Sequence, residues 1–497
     1  PDGKAGGRPD RALIVYANRA REAFKDVPII IGGIEASLRR LAHYDYWSDK
    51  VRRSVLLDSK ADLLIYGMGE KAVVEIADAL NAGIDIKDIT WIRGTCWKGR
   101  KAPEEDWIKL PDFEQINNDK KAYAKSFAVQ YANNDYITAK GLAEKYTDTV
   151  WVMQNTPGPP LTTEELDDIY ALPFENQPHP IYKEQGKIPA FEEVKFSIVS
   201  SRGCFGGCSF CAITYHQGRQ VRGRSSRAIL KETEELTKRE DFKGYIHDIG
   251  GPTANFRGPA CDKQLKLGVC SNKDCLYPKV CPAIKPDHSE YFDILRKVRS
   301  LPGVKKVFIR SGIRYDYLLA DPECDRYLEE LCRYHVSGTL KVAPEHISPV
   351  VLACMRKPSK DVFLEFVKRY KKTNEKLGKK QYLIPYLISS HPGSRLEDGV
   401  ELALFLKDYG FVPDQVQDFY PTPGTLATCM YYTGIDPLSM KKVYVAKTIE
   451  EKKMQRALLH FHKEENRETV KKALAKIGRE DLLYTLISQR HHKNKRR

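Results

Sequence analysis

Three cysteines in one short stretch constrain this chain more than any other feature. Cys204, Cys208 and Cys211 are spaced CxxxCxxC in the sequence GCFGGCSFC, with glycines between the first two. In the preceding residues 194–199 (VKFSIV), apolar residues alternate with polar ones, which predicts a strand with one face on a core. The cysteines therefore follow the end of a strand, where parallel α/β sheets place their ligand sites.

Three thiols on a glycine-rich loop are typical ligands of an iron–sulfur cluster, because cysteine thiolates hold such clusters. Three protein ligands leave one iron of a four-iron cluster open to a substrate or cofactor, and glycines allow the backbone to approach it. The alternative is zinc with His216 as a fourth ligand, although zinc sites usually contain paired CxxC units. The residues favour a [4Fe-4S] cluster.

Length and charge limit the classes of protein to which this chain can belong. The 497 residues suffice for two or three domains, and 42% of them are hydrophobic. No run of about 18 apolar residues occurs and no signal peptide is evident, so we expect no membrane span. Lys and Arg outnumber Asp and Glu by 81 to 66, which favours an acidic partner such as nucleic acid. A solvated surface with a basic tail at 491–497 explains the excess equally well.

The twelve cysteines do not indicate disulfides, because seven of them form two ligand-like sets and a cluster requires reduced thiols. We therefore expect a reducing, cytoplasmic location. The second set lies in a polar, proline-punctuated insertion at 256–288 without a clear core, and consists of Cys261, Cys270, Cys275 and Cys281. An auxiliary four-iron cluster is favoured over structural zinc, and four unliganded thiols are the third alternative.

The first two predicted parts of the chain are residues 1–98 and 99–187. The first repeats strand, glycine turn and helix, which predicts a Rossmann-like parallel sheet. An aromatic and basic patch around His43 predicts packing between domains, with contact to a substrate as the alternative. We predict that the second part is a connector that contains a charged helix within residues 120–146. The chain begins at Pro1 in a loop-like stretch, from which we expect that an upstream segment has been cut away.

We predict that residues 188–435 form the core and that residues 436–497 form a helical extension, which ends in a disordered basic tail. Strands that alternate with helical stretches make six βα units, which predict a partial barrel with an open side. The predicted strands lie at 194–199, 245–251, 306–312, 338–343, 382–388 and 415–419. Polar and glycine residues follow most of these strands, as they do at the ligand edge of such a barrel.

Several longer motifs resemble the YgiQ family of radical S-adenosylmethionine (SAM) proteins over most of the chain. Besides the cysteine loop, which matches the radical SAM pattern CxxxCxφC, they are DIGGPTAN at 248–255, APEH at 343–346, YLIPY at 382–386, SHPG at 390–393 and MYYTG at 430–434. The resemblance implies an α/β fold, a partial (β/α)6 barrel preceded by a truncated Rossmann-like domain of the cobalamin-binding type. The cobalamin-ligating motif DxHxxG is not in the sequence, which argues against cobalamin.

The resemblance also implies an activity. Cys204, Cys208 and Cys211 would hold a [4Fe-4S] cluster whose open iron chelates the amino and carboxylate groups of SAM. One-electron reduction, from an external donor of the flavodoxin or ferredoxin type, would cleave SAM to methionine and a 5′-deoxyadenosyl radical that abstracts a substrate hydrogen. RNA, a protein and a small molecule all remain possible substrates. A non-catalytic iron–sulfur redox or iron sensor is the alternative function.

The same resemblance also implies which residues bind SAM. The backbone of Gly250 and Gly251 would approach its methionine part, although Pro252 stands where related GGE-like turns have an acidic residue. The other expected SAM contacts are Phe210, Ser311, Arg314, Lys341 and Glu345. The sequence singles out no catalytic residue among its candidates, which are Tyr215, His216, His391, Tyr420 and Cys429.

Overall fold

The computed structural model describes residues 9–103, 106–411, 413 and 416–487. The predicted basic tail at 491–497 lies outside these residues, as does the start of the last predicted strand at 415. In the described part, an N-terminal mixed sheet precedes an alternation of strands and helices, and the chain ends in short helices.

In the part of the N-terminal region that the structure describes there are eight short strands and seven α-helices. The strands are β1 (Ile30–Ile31), β2 (His43–Asp45), β3 (Lys50–Arg52), β4 (Leu63–Ile65), β5 (Thr95–Gly99), β6 (Ile108–Lys109), β7 (Leu142–Thr147) and β8 (Val150–Gln154). The helices are α1 (Ala12–Ala23), α2 (Gly33–Leu38), α3 (Val55–Asp58), α4 (Glu70–Asn81), α5 (Phe113–Asn118), α6 (Lys120–Ala132) and α7 (Thr163–Tyr170).

The N-terminal sheet differs from the predicted parallel, Rossmann-like one. Its order is β1-β4-β5-β8-β7-β6, and only the outer pairs β1–β4 and β6–β7 are parallel. The inner pairs are antiparallel, because β7 and β8 form a hairpin over a two-residue turn and β5 adds to its edge. The predicted boundary at residue 98 therefore falls inside this sheet.

The end of the predicted charged helix is a strand. Helix α6 ends at Ala132, and Leu142 to Thr147 form β7. The first three residues of β7 are buried in the sheet, including the carboxyl side chain of Glu144. Charge alone had favoured a helix here, whereas hairpin pairing with β8 determines the structure.

Glu144 is a buried acid without a cationic partner. Its Oε1 accepts hydrogen bonds from Ala42 N (2.8 Å) and from the Tyr146 hydroxyl, while its Oε2 has no partner among the described residues. Burial raises the pKa of Glu144 from 4.5 to about 7. Between these two pKa values the folded protein binds more protons than the unfolded chain, so its stability falls as pH rises.

We expect Glu144→Gln to remove this pH dependence. Between pH 5 and pH 8, the free energy of unfolding should fall by on the order of 2 to 3 kcal/mol more in the wild type than in the variant. Urea unfolding at both pH values measures this difference. Glu75→Gln, at an exposed position of α4, is the control and should follow the wild type. Parallel pH profiles for the wild type and Glu144→Gln would contradict the prediction.

The described residues of the core form nine further strands and eleven α-helices. The strands are β9 (Ser197–Val199), β10 (Ser201–Arg202), β11 (Arg222–Gly223), β12 (Tyr245–Ile246), β13 (Asp248–Gly250), β14 (Lys306–Val307), β15 (Thr339–Glu345), β16 (Tyr382–Ser389) and β17 (Val416–Asp418). The helices are α8 (Pro189–Val194), α9 (Ile213–Gln217), α10 (Ser226–Thr237), α11 (Asp262–Leu267), α12 (Ser289–Arg299), α13 (Tyr315–Leu319), α14 (Cys324–Glu330), α15 (Pro349–Met355), α16 (Lys360–Lys376), α17 (Leu396–Tyr409) and α18 (Leu426–Thr433).

Strands lie within or overlap all six predicted strand segments, and their pairings with one another are parallel. β9 pairs with β13, β12 pairs with β14, and β15, β16 and β17 form one sheet. Within the described residues no pairing joins β14 to β15. The alternation of parallel strands and helices is therefore present, while a continuous six-stranded barrel ladder is not.

Two helices begin at polar residues that cap them. The Ser225 hydroxyl accepts a hydrogen bond from Ala228 N at the start of α10. Thr162 and Glu165 form a reciprocal capping box at the start of α7. Such caps satisfy backbone N–H groups that the first helical turn leaves unpaired, which is why short polar residues mark these starts.

The C-terminal helices are shorter than expected. They are α19 (Ile449–Leu459), α20 (Arg467–Lys476) and α21 (Leu482–Ile487), and the chain at 436–448 is not helical. Apolar residues of α19 and α20 pack on α17 of the core. None of the described helices combines the length and hydropathy that crossing a bilayer requires.

The patch around His43 packs between the N-terminal region and the core, as the preferred interpretation predicted. Tyr44 is buried and stacks on Tyr432 with ring centroids 4.7 Å apart. Tyr46 contacts Tyr420 and Tyr431 edge to face. Burial lowers the pKa of His43 to about 4, so this ring is neutral at physiological pH. The contact packs the β2–β3 hairpin of the N-terminal region against helix α18 and Tyr420 of the core.

Candidate functional site

The cysteine loop follows β9 and β10 and is clasped by the segment that follows it. Gly203 N donates to Gln217 Oε1 (2.9 Å), and Cys204 N donates to the carbonyl of Gly218 (3.1 Å). Gly203 has φ +84°, and a Cβ there would lie 2.2 Å from the backbone oxygen of Gln220. Only glycine meets both conditions, so this residue fixes the start of the loop.

The three predicted ligands lie close together as unpaired thiols. Gly206 N lies 3.4 Å from Cys204 Sγ, and Thr253 Oγ1 lies 3.9 Å from the same sulfur. Burial, and next the neighbouring Cys208, raise the pKa of Cys204. Burial raises the pKa of Cys211 to about 12, with Cys208 again the second cause. Thiols in this setting become thiolates when a metal binds them, since metal coordination displaces the proton.

The donor set has the chemistry of an iron–sulfur site, because cysteine sulfurs hold such clusters. Within the described ranges, no three His, Cys, Asp or Glu side chains converge as the ligands of one metal ion do. A four-iron cluster has a different requirement, because each thiolate binds a separate iron. Beside the loop, Arg314 Nη1 lies 3.3 Å from Cys208 Sγ, and Arg314 Nη2 is a buried donor without a partner among the described residues. An orphaned cationic donor beside three thiols suits an anionic group there.

A cleft of about 1040 Å³ adjoins the cysteine loop. Residues on both sides of the loop line it, as do the ends of core strands and the turn between β4 and α4 of the N-terminal region. Its principal polar and glycine residues are Gly67, Gly69, Glu70, Glu193, Ser201, Arg202, His216, Asp248, Gly250, Gly251, Arg310, Ser311 and Lys341. The volume lies at the upper end for small-molecule sites, so the cleft has room for a cofactor-sized ligand.

Three buried polar atoms around this cleft have no partner among the described residues. They are Ser201 Oγ, His216 Nδ1 and Glu70 Oε2. The other carboxylate oxygen of Glu70 pairs with Arg202 across the boundary between the two regions. Buried polar groups are rarely left unsatisfied in native proteins, so the three atoms favour a polar ligand.

The predicted SAM residues divide into two groups. Gly250, Gly251, Ser311 and Lys341 all line the cleft. A Cβ on Gly250 would lie 2.0 Å from Ser311 Oγ, and one on Gly251 would lie 2.7 Å from Ser201 Oγ. Ser311 and Ser201 thus occupy the space that a side chain would need at these two positions, so glycine is required for this close packing.

The other three predicted SAM residues lie beneath the loop, outside the cleft lining. Phe210 packs edge to face on His391 at 5.9 Å. Glu345 is buried, and its Oε1 lies 3.5 Å from Lys357 Nζ. Burial raises the pKa of Glu345. Arg314 is 7% exposed and ion-paired with Asp316. Strand ends carry side chains to either side of the sheet, and sequence position alone did not distinguish these sides.

One of the five catalytic candidates, His216, lines the cleft. Burial lowers its pKa, so a neutral imidazole faces the ligand. Tyr215 is buried under the Arg40 guanidinium, 3.9 Å from the ring centroid, and His391 and Cys429 are also buried. Tyr420 is exposed and packs on Tyr46. The structure thus places these four away from the cleft lining.

Two residues that support the loop from below, Asn255 and Lys357, have no functional signal of their own in the sequence. Asn255 accepts from Arg314 N (2.9 Å), and Lys357 Nζ donates to the carbonyl of Ala343 (2.7 Å). Asn255 lies in the DIGGPTAN motif, which marked it as part of a pattern without giving its role. No local pattern marks Lys357, because its partners lie on a different element.

The second cysteine set packs beside the first. Phe205 of the loop stacks on Phe256 of the insertion with centroids 3.8 Å apart, and Cys204, Cys275 and Cys281 all pack against the same apolar cluster. The expectation that the insertion has no core is therefore wrong. Burial raises the pKa of Cys275 to about 11, and the nearby Cys261 and Cys270 add to this rise.

Asp274 fastens the insertion to the loop. Its carboxylate lies 2.7 Å from Arg356 Nε and 3.4 Å from Arg219 Nη2, and its side chain is 4% exposed. A Cβ on Gly207 would lie 3.4 Å from Asp274 Oδ1, so the carboxylate covers the loop directly. The insertion and the cysteine loop therefore form one packed unit.

Comparison with known families covers nearly all of the chain. The model described as Radical SAM N-terminal matches residues 1–197, and the Radical SAM superfamily matches residues 198–406. A Domain of unknown function (DUF3362) matches residues 414–492. The junction of the first two matches falls at β9, immediately before the cysteine loop.

Solved structures give weaker likenesses. One is TsrM, a radical SAM methyltransferase from Kitasatospora setae with cobalamin and a [4Fe-4S] cluster bound, at 12% identity and a TM-score of 0.43, covering 83% of this chain and 60% of that chain. Another is OxsB, a cobalamin-dependent SAM radical enzyme with aqua-cobalamin bound, at 12% identity and a TM-score of 0.45, covering 83% and 44%. At these values the likeness bears on neither the cofactors nor the substrate of this chain.

Close relatives are curated proteins of one family. A UPF0313 protein of Clostridium perfringens (strain ATCC 13124) is 57% identical over 485 residues, covering 97% of this chain and 73% of the relative. A UPF0313 protein of Clostridium botulinum (strain ATCC 19397) is 56% identical over 484 residues, covering 97% and 75%. The expectation of a missing upstream segment stays a prediction. The chain belongs to the UPF0313 family and is a radical SAM enzyme, with the iron–sulfur and SAM chemistry of that superfamily.

Proposed function

We propose that this enzyme holds a [4Fe-4S] cluster on Cys204, Cys208 and Cys211 and cleaves SAM reductively to abstract hydrogen from a substrate. The observation that carries the proposal is the position of the cleft. Ser201 and Arg202 before the loop, and His216 after it, line the same cleft as the strand ends. A ligand in this cleft lies beside the cysteine loop and against the glycine backbone at once.

The residues of the chain bind and orient the ligands. Gly250 and Gly251 offer backbone groups to the amino acid part of SAM, and Lys341 offers a cation to its carboxylate. The Ser311 hydroxyl forms a hydrogen bond with the ribose of SAM. When bound, the cluster and SAM supply the one-electron cleavage that generates a 5′-deoxyadenosyl radical. The N-terminal turn at Gly67 to Glu70 closes the opposite wall and limits access of water.

The proposal also includes the predictions about the barrel, the catalytic domain, the electron donor and the location. The six core strands form the wall of a partial barrel, residues 188–435 are the catalytic domain, and the electron donor is of the flavodoxin or ferredoxin type. The protein acts in the cytoplasm. Cobalamin is not part of the proposal, because the sequence lacks DxHxxG and the histidine that lines the cleft, among the described residues, comes from the core.

Anaerobic reconstitution with iron and sulfide tests the proposal. We expect about four irons per chain, and 5′-deoxyadenosine after reduction with dithionite in the presence of SAM. A count of about eight would place a second cluster on Cys261, Cys270, Cys275 and Cys281. Four irons without the nucleoside would favour the iron–sulfur sensor. Zinc without iron would contradict the cluster itself.

A further inference from the structure

Arg314 occupies an unusual place for a cation. It follows β14, at a position where the sequence predicted a contact with SAM, yet its side chain lies under the cysteine loop. Its Nη1 is 3.3 Å from Cys208 Sγ, and a Cβ on Gly206 would lie 2.8 Å from the same nitrogen. The guanidinium therefore lies against the loop, next to Gly206 and Cys208.

The arginine is held there by both its side chain and its backbone. Arg314 Nε donates to Asp316 Oδ1 at 2.7 Å. The Asn255 amide binds the backbone of Arg314 on both sides, since its Oδ1 accepts from Arg314 N (2.9 Å) and its Nδ2 donates to Arg314 O (3.3 Å). Each of these three residues is at least nine-tenths buried. A guanidinium so fixed keeps its charge and its donor directions.

A second layer orients Asn255. Its Nδ2 lies 2.9 Å from His288 Nε2, and an amide nitrogen only donates, so Nε2 accepts. The proton of His288 is then on Nδ1, which donates to Asp321 Oδ2 at 2.6 Å. This chain of buried groups has one consistent set of hydrogen-bond directions and ends at the backbone of Arg314.

We infer that Arg314 is a positioning residue that raises the reduction potential of the cluster held by Cys204, Cys208 and Cys211. The inference rests on the proposed function. Reduction adds a negative charge to a centre that thiolates already make anionic, and a fixed cation beside one of these sulfurs stabilises the reduced form. Hydrogen bonds to the sulfurs and local charge are established means by which proteins set cluster potentials. Asp316 opposes this effect with its own negative charge.

Two variants with opposite expected shifts test the inference. The midpoint potential of the reconstituted protein is measured by redox titration, followed by the electron paramagnetic resonance signal of the reduced cluster. In Arg314→Gln, the ratio of reduced to oxidised cluster at the wild-type midpoint should fall at least tenfold, a shift of about 59 mV for one electron. In Asp316→Asn, which retains an acceptor for Arg314 Nε, the same ratio should rise. Arg314→Lys keeps the charge and should recover part of the wild-type ratio.

The control is Arg326→Gln, which removes one positive charge at an exposed position paired with Glu323. It should titrate as the wild type does. Equal midpoints in Arg314→Gln and wild type, or shifts of the same sign in Arg314→Gln and Asp316→Asn, would overturn the inference while leaving the cluster in place. A wild type that binds no iron would overturn the proposed function, and this inference with it.

Discussion

Cys208→Ala is expected to lose both the iron and the formation of 5′-deoxyadenosine. The substitution leaves two thiolates on the loop where a cluster requires three from this chain, and it removes the sulfur that Arg314 Nη1 contacts. Iron counting after anaerobic reconstitution and the nucleoside assay measure the two effects. We expect iron far below the wild-type content and nucleoside at background, with the far-ultraviolet circular dichroism unchanged.

Cys354→Ala is the matched control. Cys354 is half-buried at the edge of α15, near the loop but outside both predicted ligand sets, and its sulfur packs against Gly393. Loss of this thiol should leave the iron content and the nucleoside rate close to the wild type. Full iron in Cys208→Ala, or equal losses in the two variants, would remove Cys208 from the ligand set.

Gly203→Ala should destabilise the protein by about 3 kcal/mol or more, because two costs add. A left-handed φ costs a non-glycine residue about 1 to 2 kcal/mol, and the new Cβ would lie 2.2 Å from the Gln220 backbone oxygen, which has no flexible side chain to move aside. Overpacking of this kind costs about 1 to 3 kcal/mol. Urea unfolding of the iron-free protein measures the loss, and iron counting shows whether Cys204 is still placed for a cluster.

Gly410→Ala separates the two costs. Gly410 has a φ of +68°, and a Cβ there meets nothing within 4 Å. This control therefore carries the backbone cost alone, about 1 to 2 kcal/mol, with full iron content. Equal destabilisation in the two variants would show that the loop moves away from Gln220 without cost.

Local features were predicted well because their causes are local. The caps at Thr162 and Ser225 each satisfy an N–H group three residues away, so a short stretch of sequence contains both partners. The alternation of core strands and helices follows from apolar spacing in the same way. The ligand roles of the cysteines, which rest on spacing and on the family, stay predictions until iron is counted.

Non-local pairing explains the failures. Cys96 of β5 pairs with Gln154 of β8, far along the chain, so the antiparallel centre of the N-terminal sheet has no local signature. The strand at Leu142 to Thr147 is a different case, because its partner β8 follows after a two-residue turn, and its charged residues favoured a helix.

The sequence by itself determined that three thiols share one glycine-rich loop, that two glycines lie at 250 and 251, and that strands alternate with helices in the core. Only the tertiary structure decided on which side of the cysteine loop each polar side chain lies. Lys341 faces the cleft, whereas Arg314 and Glu345 lie beneath the loop with Asp316 and Lys357. The reason is physical: a buried charge needs a partner, and these partners come together only when separate elements pack.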